Sequence, residues 1–323
     1  MEKLLTVTSS PHIRSEENTH SIMTDVIIAL MPPLVAAMYF FGYRALLHTL
    51  VGVVSCILFE YITRRIMKRN NTIGDLSAVV TGILLAYNMS VSAPLWMTVI
   101  GSFIAIVVAK QLFGGLGQNF MNPALTGRIF LAASFTGAMT TWAHPVFLWT
   151  ANLGADAVTT ATPLVSLKAH TLPDTSLFMM LLGGTGGCIG ETSALLLVAG
   201  GIYLMMRRVI TWHTPVSYIG TVAIITFLSS GGLNRGQFML SELLSGGLML
   251  GAFFMATDYA TTPVTGKGRI IFGIGCGLLT VLIRYYGGYP EGVSYAIVLM
   301  NLLTWFIDKY TKPKAFGRGV KLG

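Results

Sequence analysis

"LFMMLLGGTGGCI", residues 177–189, decides how the whole chain is threaded, because it reads either as one more membrane crossing or as a segment that dips and returns. A helical crossing needs about 20 mostly apolar residues, and this stretch is shorter and broken by two Gly-Gly pairs. Around it the chain of 323 residues is 53% hydrophobic and 11% charged, with a mean hydropathy of +0.69. Soluble domains carry roughly 25% charged residues. Too few charges are present to cover a water-facing globule, and the long apolar runs call for helices, which satisfy their own backbone in lipid. The class is an all-α polytopic membrane protein.

Apolar runs place spans at 22–41, 45–66, 76–89, 95–113 and 123–136, then at 192–206, 216–229, 243–257, 270–286 and 293–307. Loop charge arbitrates the stretch at 177–189, because cytoplasmic loops are enriched in Lys and Arg. The second span ends in "RRIMKRN" (64–70), which marks a cytoplasmic loop and puts the N-terminus on the same side. If 177–189 only dips, Arg207-Arg208, then Lys267 and Arg269, then the tail "DKYTKPKAFGRGVKLG" (308–323) all reach the cytoplasm. A full crossing would put every one of them outside. The expectation is therefore about ten transmembrane helices with a re-entrant segment and both termini cytoplasmic. The formal net charge of +8 follows from those loops and gives no reason to invoke nucleic acid.

The two halves echo each other. "GDLSAVVTGILLAYNM" (74–89) aligns with "LLSGGLMLGAFFMATD" (243–258), and Gly114-Gly115 with Gly287-Gly288. Five spans per half is an odd number, so the halves are expected as inverted five-helix repeats, which house sites near their interface on short or glycine-interrupted helices. The expected organisation is a cytoplasmic segment 1–21, a first repeat 22–137, an outward-facing loop 138–175, a re-entrant segment with the second repeat 176–308, and a basic tail 309–323.

Polar residues inside such a chain are the functional candidates. Glu191, in "GGTGGCIGETS" (183–193), is a candidate for ion coupling, ahead of Asp25, Glu60 and Lys110. Arg128 is costly in lipid and should face a polar partner. Asn122-Pro123 reads as a helix start, whose free N–H groups can also hold an anion. In "FMATDYATTPVTGKGR" (254–269), Thr257, Asp258, Lys267 and Arg269 suit a ribityl chain or phosphate as well as they suit a solvated loop. Cys56, Cys188 and Cys276 form no C-x-x-C, so no conventional iron–sulfur ligand set is present, and the scattered histidines suggest no metal. In "DAVTTATPL" (156–164) a threonine hydroxyl needs a base or metal to act as a nucleophile, and no His or Lys stands in the motif. By local chemistry it is a polar loop.

Four blocks together resemble one membrane family: Asp156-Ala-Val-Thr159-Thr160-Ala161-Thr162, "GGLGQNFMNPALTGR" (114–128), "GETSALLLVAGGIYL" (190–204) and the 254–269 block. That family contains the D subunit of the Rnf ion-translocating oxidoreductase and the B subunit of the sodium-pumping NADH:quinone reductase. The resemblance covers nearly the whole chain, and the short segment before the first span is closer to the Rnf branch. It implies FMN joined through a phosphoester to Thr162, with Asp156, Thr159 and Ala161 as the signal read by a separate Mg-dependent flavin transferase that uses FAD. Thr160 stands where glycine is usual. The resemblance further implies a non-covalent riboflavin, for which Thr257, Asp258, Lys267 and Arg269 are the candidates. It also implies partner subunits, including a second covalent-flavin subunit and iron–sulfur subunits, and a bacterial or archaeal plasma membrane. The expected role is electron relay in a ferredoxin:NAD+ oxidoreductase coupled to Na+ or H+ transport. The alternative is a flavin-free solute channel or permease, which inverted repeats fit equally well.

Overall fold

The computed structural model describes residues 17–143, 145, 162–191, 193–232, 234–289 and 291–313. Within them the chain is helical. The longer helices are α1 (Thr19–Phe41), α2 (Tyr43–Ile66), α3 (Ser77–Tyr87), α4 (Leu95–Gln111), α5 (Pro123–Ser134), α6 (Ala194–Met206), α7 (His213–Leu228), α8 (Arg235–Leu244 continuing as Leu248–Met255), α9 (Gly266–Tyr286) and α10 (Val293–Thr311). Among the described residues α1, α2 and α9 are long and apolar enough to cross a bilayer, and α8 is a fourth if its two parts count as one span. Large apolar side chains such as Val35, Val54, Leu58, Ile224 and Leu282 stand exposed on these helices, a lipid-facing surface rather than a water-facing one. The interior is built from Leu30, Leu85, Tyr87, Met89, Leu125, Leu250 and Phe272.

Helices approach closely where small residues permit it, as membrane packing requires. A Cβ on Gly82 of α3 would lie 2.8 Å from the Gly52 carbonyl oxygen of α2. In α1, Pro32 and Pro33 lie inside the helix. Proline offers no N–H, so the Ala29 carbonyl loses its partner one turn on. That oxygen faces α6, where a Cβ on Gly200 would sit 2.7 Å from it.

Helix lies at each of the ten apolar runs, and three stretches of the chain are interrupted or displaced. First, 177–189 is not one helix: Leu177–Leu182 stops at Gly183, which takes the left-handed conformation (φ 109), and a short turn at Ile189–Glu191 precedes α6. The intervening chain is tied to the end of α3 by an Ile189 N–H to Met89 carbonyl bond of 3.0 Å. Second, α8 begins at Arg235, earlier than 243, and bends by 65°. The bend centres on Gly246, at φ +69. The buried Arg284 guanidinium of α9 donates to the carbonyls of Glu242 (2.8 Å) and Ser245 (3.1 Å), so the interrupted helix end is capped. Third, α5 stops at Ser134 and a separate short turn of helix, Thr136–Met139, follows.

Candidate functional site

The Asn122-Pro123 start forms as expected. The Asn122 side chain accepts from the N–H groups of Ala124 (3.1 Å) and Leu125 (3.3 Å), with proline at the first helical position. Those donors serve the cap, so the anion reading of this helix start loses them. This cap fixes α5, and two cavities open at its two ends.

The cavity near the start of α5 is lined by Ser77 and Thr81 of α3, Lys110 of α4, Asn119, Asn122, Phe254, Thr257 and Asp258 among others. Lys110, buried, donates to Glu60 Oε2 (2.9 Å) and Ser77 Oγ (2.6 Å), and Thr72 donates to the other Glu60 oxygen at 2.6 Å. Thr257 and Asp258 therefore meet at one wall. Lys267 and Arg269 do not: Lys267 is exposed, and Arg269 donates to the Pro263 carbonyl (3.0 Å) and Thr211 Oγ1 (2.9 Å). Beside them Tyr259, in the loop beyond α8, donates to the Val209 carbonyl. Partial burial raises its hydroxyl pKa while Arg269 pulls it down.

The cavity further along α5 has a volume of about 290 Å³, at the lower edge of the range of small-molecule sites. Arg128, Ile129 and Ala132 of α5 line it, with Met139, Trp142, Thr162, Tyr289, Glu291, Ser294 and Tyr295. The Tyr289 and Tyr295 rings stack with centroids 6.2 Å apart. Thr162 precedes the short helix Pro163–Lys168 and is 4% exposed. Among the described residues its Oγ1 is buried without a hydrogen-bond partner, which is costly for a hydroxyl and marks a group for explanation. Lys168 turns away to the Gly287 carbonyl. Asp156, Thr159 and Ala161, the rest of the expected attachment signal, lie outside the described residues.

Arg128 finds the polar surroundings its position demanded. It forms an ion pair with Glu291, donates to Asn88 Oδ1 at 2.6 Å and reaches Cys188 Sγ at 3.5 Å. Glu191 stands beside this group: its Oε2 accepts from the Cys188 N–H at 3.2 Å, while Oε1 is buried and has no partner among the described residues. Cys188, Glu191 and Glu291 bring one ligand-capable atom each within 4.8 Å of one another. Two of these three already engage the guanidinium, so the arginine accounts for their meeting. The lesser intramembrane candidates are paired as well: Asp25 with Arg207 (3.1 Å), and Glu60 with Lys110 (2.9 Å).

Glu291, Tyr289, Tyr295 and Trp142 were not singled out by sequence reasoning. The signal available was Gly287-Gly288, the counterpart of Gly114-Gly115, which brackets "YPEG" just as the first pair precedes the Asn122-Pro123 turn.

A helical bundle with a lipid-facing apolar surface, a bent interior helix and buried ion pairs around two internal cavities defines a multi-pass membrane protein. The chain belongs to the NQR2, RnfD, RnfE family, which it matches over residues 6–317. It is 50% identical over 316 residues to the D subunit of the Na(+)-translocating ferredoxin:NAD(+) oxidoreductase complex of Acetobacterium woodii, covering 97% of this chain and 95% of the relative. Identity to the D subunit of the proton-translocating ferredoxin:NAD(+) oxidoreductase complex of Clostridium ljungdahlii is 46%, covering 98% and 97%. Identity to the D subunit of the ion-translocating oxidoreductase complex of Escherichia coli is 36%, covering 96% and 98%.

Proposed function

We propose that this chain is the D-type membrane subunit of an ion-translocating ferredoxin:NAD+ oxidoreductase, and that it relays electrons through FMN joined to Thr162. The relatives' names and their end-to-end coverage support the subunit role. The observation that carries the flavin assignment is the buried, unpartnered Thr162 hydroxyl on the wall of a cavity lined with Trp142, Tyr289 and Tyr295. Aromatic walls suit a planar ring system. No base touches the hydroxyl among the described residues, which fits attachment by a separate flavin transferase. In that step the threonine O–P bond forms, the pyrophosphate bond of FAD breaks and AMP leaves.

A non-covalent riboflavin is assigned to the cavity at the start of α5, with Thr257 and Asp258 on its wall. Lys267 and Arg269 stand apart from that wall and are left with the loop. From Ala124 to Arg128 and Ala132 the helix rises roughly 6 to 12 Å, so two flavins there would be closely spaced against a hydrocarbon core of about 30 Å. When bound, the flavins supply one-electron chemistry. The chain's own residues supply the walls, exclude water and hold charge beside them.

The arrangement we favour has ten spans in two inverted five-helix repeats, a re-entrant segment at 177–189, both termini cytoplasmic and the Thr162 side outward. It is supported by the ten helical stretches, the interrupted α8 and the basic loops after α2 and α6. Glu191 is our candidate for ion coupling, because one of its buried oxygens lacks a partner. The relatives are named for Na+ in one case and protons in another, so family membership leaves the coupling ion open. Partner subunits would carry the iron–sulfur centres, a second covalent flavin and the NAD site.

The test is a denaturing gel of protein produced together with its transferase. The flavin assignment expects a fluorescent band that disappears in Thr162→Ala, and a dark unmutated band would turn the reading toward the permease.

A further inference from the structure

The Thr162 cavity has an uneven distribution of charge. Among the described residues lining it, Arg128 is its one cation and Glu291 its one anion, and the remaining walls are aromatic, apolar or hydroxyl-bearing. Both charged side chains are nearly buried, at 8% and 12% exposure. The guanidinium is also fixed from behind, by Asn88 Oδ1 at 2.6 Å and Cys188 Sγ at 3.5 Å, so it cannot swing into solvent without breaking buried contacts. Glu191 adds a second carboxylate whose field reaches the same arginine.

We propose that Arg128 is the charge-compensating residue for a flavin held at Thr162, and that Glu291 sets how much of its positive charge the flavin feels. The inference rests on the flavin reading above and deepens it. One electron arriving from a one-electron donor of the complex adds one negative charge to the ring, with no bond made or broken. A negative charge in a buried site is strongly disfavoured unless a cation stands close, and charge near the ring nitrogens is a principal means by which protein tunes a flavin. Arg128 is that cation. Because Glu291 holds it in an ion pair, part of its field is already spent. Removing the Glu291 charge therefore favours the reduced flavin, and removing the Arg128 charge favours the oxidised one.

The experiment is a spectroelectrochemical titration of the covalently bound flavin in the intact complex, for the unmutated chain and for Glu291→Gln, Arg128→Lys and Arg128→Gln. Glu291→Gln should shift the one-electron equilibrium toward reduction by about tenfold, which is 59 mV for one electron. Arg128→Gln should shift it by at least as much in the opposite direction, and Arg128→Lys should stay close to the unmutated value. Arg128→Gln leaves two carboxylates without their cation and can fail to fold, so Glu291→Gln decides the matter alone. Every protein is first run on a denaturing gel. A dark unmutated band overturns both the flavin reading and this inference. A fluorescent Glu291→Gln band with an unmoved midpoint overturns the Arg128 inference and leaves the attachment site standing.

Discussion

Arg128 of α5 and Glu291, in the turn before α10, form an ion pair with both side chains nearly buried. It ties the first half of the chain to the second. Breaking such a pair by removing one partner costs about 3–5 kcal/mol, because a buried charge is stranded, whereas replacing both with apolar groups costs far less. Arg128→Met should therefore lower the thermal unfolding temperature in detergent more than the double change Arg128→Met with Glu291→Met. A double variant no more stable than the single one would contradict the burial of the pair.

Arg284 serves two purposes. It pairs with Glu242 Oε2 at 2.7 Å and covers the Glu242 and Ser245 carbonyls freed at the bend of α8. Lysine keeps the charge but loses the fork that reaches several acceptors together. Arg284→Lys should cost about 1–3 kcal/mol, the penalty for stranding buried acceptors, read as a lowered denaturation midpoint. Stability equal to the unmutated protein would show that the charge alone matters.

Close packing gives a steric prediction with an internal control. A Cβ at Gly82 would stand 2.7 to 2.8 Å from the backbone of Val53 and Gly52, whereas one at Gly137 meets nothing within 4 Å among the described residues. Gly82→Ala should destabilise by about 1–3 kcal/mol through overpacking. Gly137→Ala should be neutral or mildly stabilising. Thermal melts of the pair in the same detergent check both, and equal melting would remove the α2–α3 contact as a determinant.

For the second flavin, Thr257→Val combined with Asp258→Asn should weaken retention of acid-extractable flavin by about tenfold, or 1.4 kcal/mol. The covalent band at Thr162 should persist, since the two residues line different cavities. Loss of both flavins together would point to general misfolding rather than to a site.

Much of this was legible in the sequence because lipid imposes length and composition on a helix. Runs such as 45–66 and 270–286 fall within α2 and α9 and end where those helices end. The cost of burying Arg128 called for a polar partner, and Asn122-Pro123 announced its own cap. What the sequence hid was tertiary. Arg235–Leu244 carries too many polar residues to register as an apolar run, and the Arg284 contact that caps its end comes from a distant helix. Glu291 sits outside any apolar period, so nothing local marks it as the partner of Arg128. Thr162 was distinguished among its neighbouring threonines by family pattern alone. Its unpartnered hydroxyl is a property of the folded cavity.

The most direct measurement is mass spectrometry of the proteolytic peptide containing Thr162, from chain produced with its flavin transferase. A flavin relay at this site predicts a mass gain of one FMN less one water, mapped by fragmentation to Thr162 and absent from Thr162→Ala. An unmodified Thr162 peptide, or FMN carried by Thr159 or Thr160 instead, would contradict it.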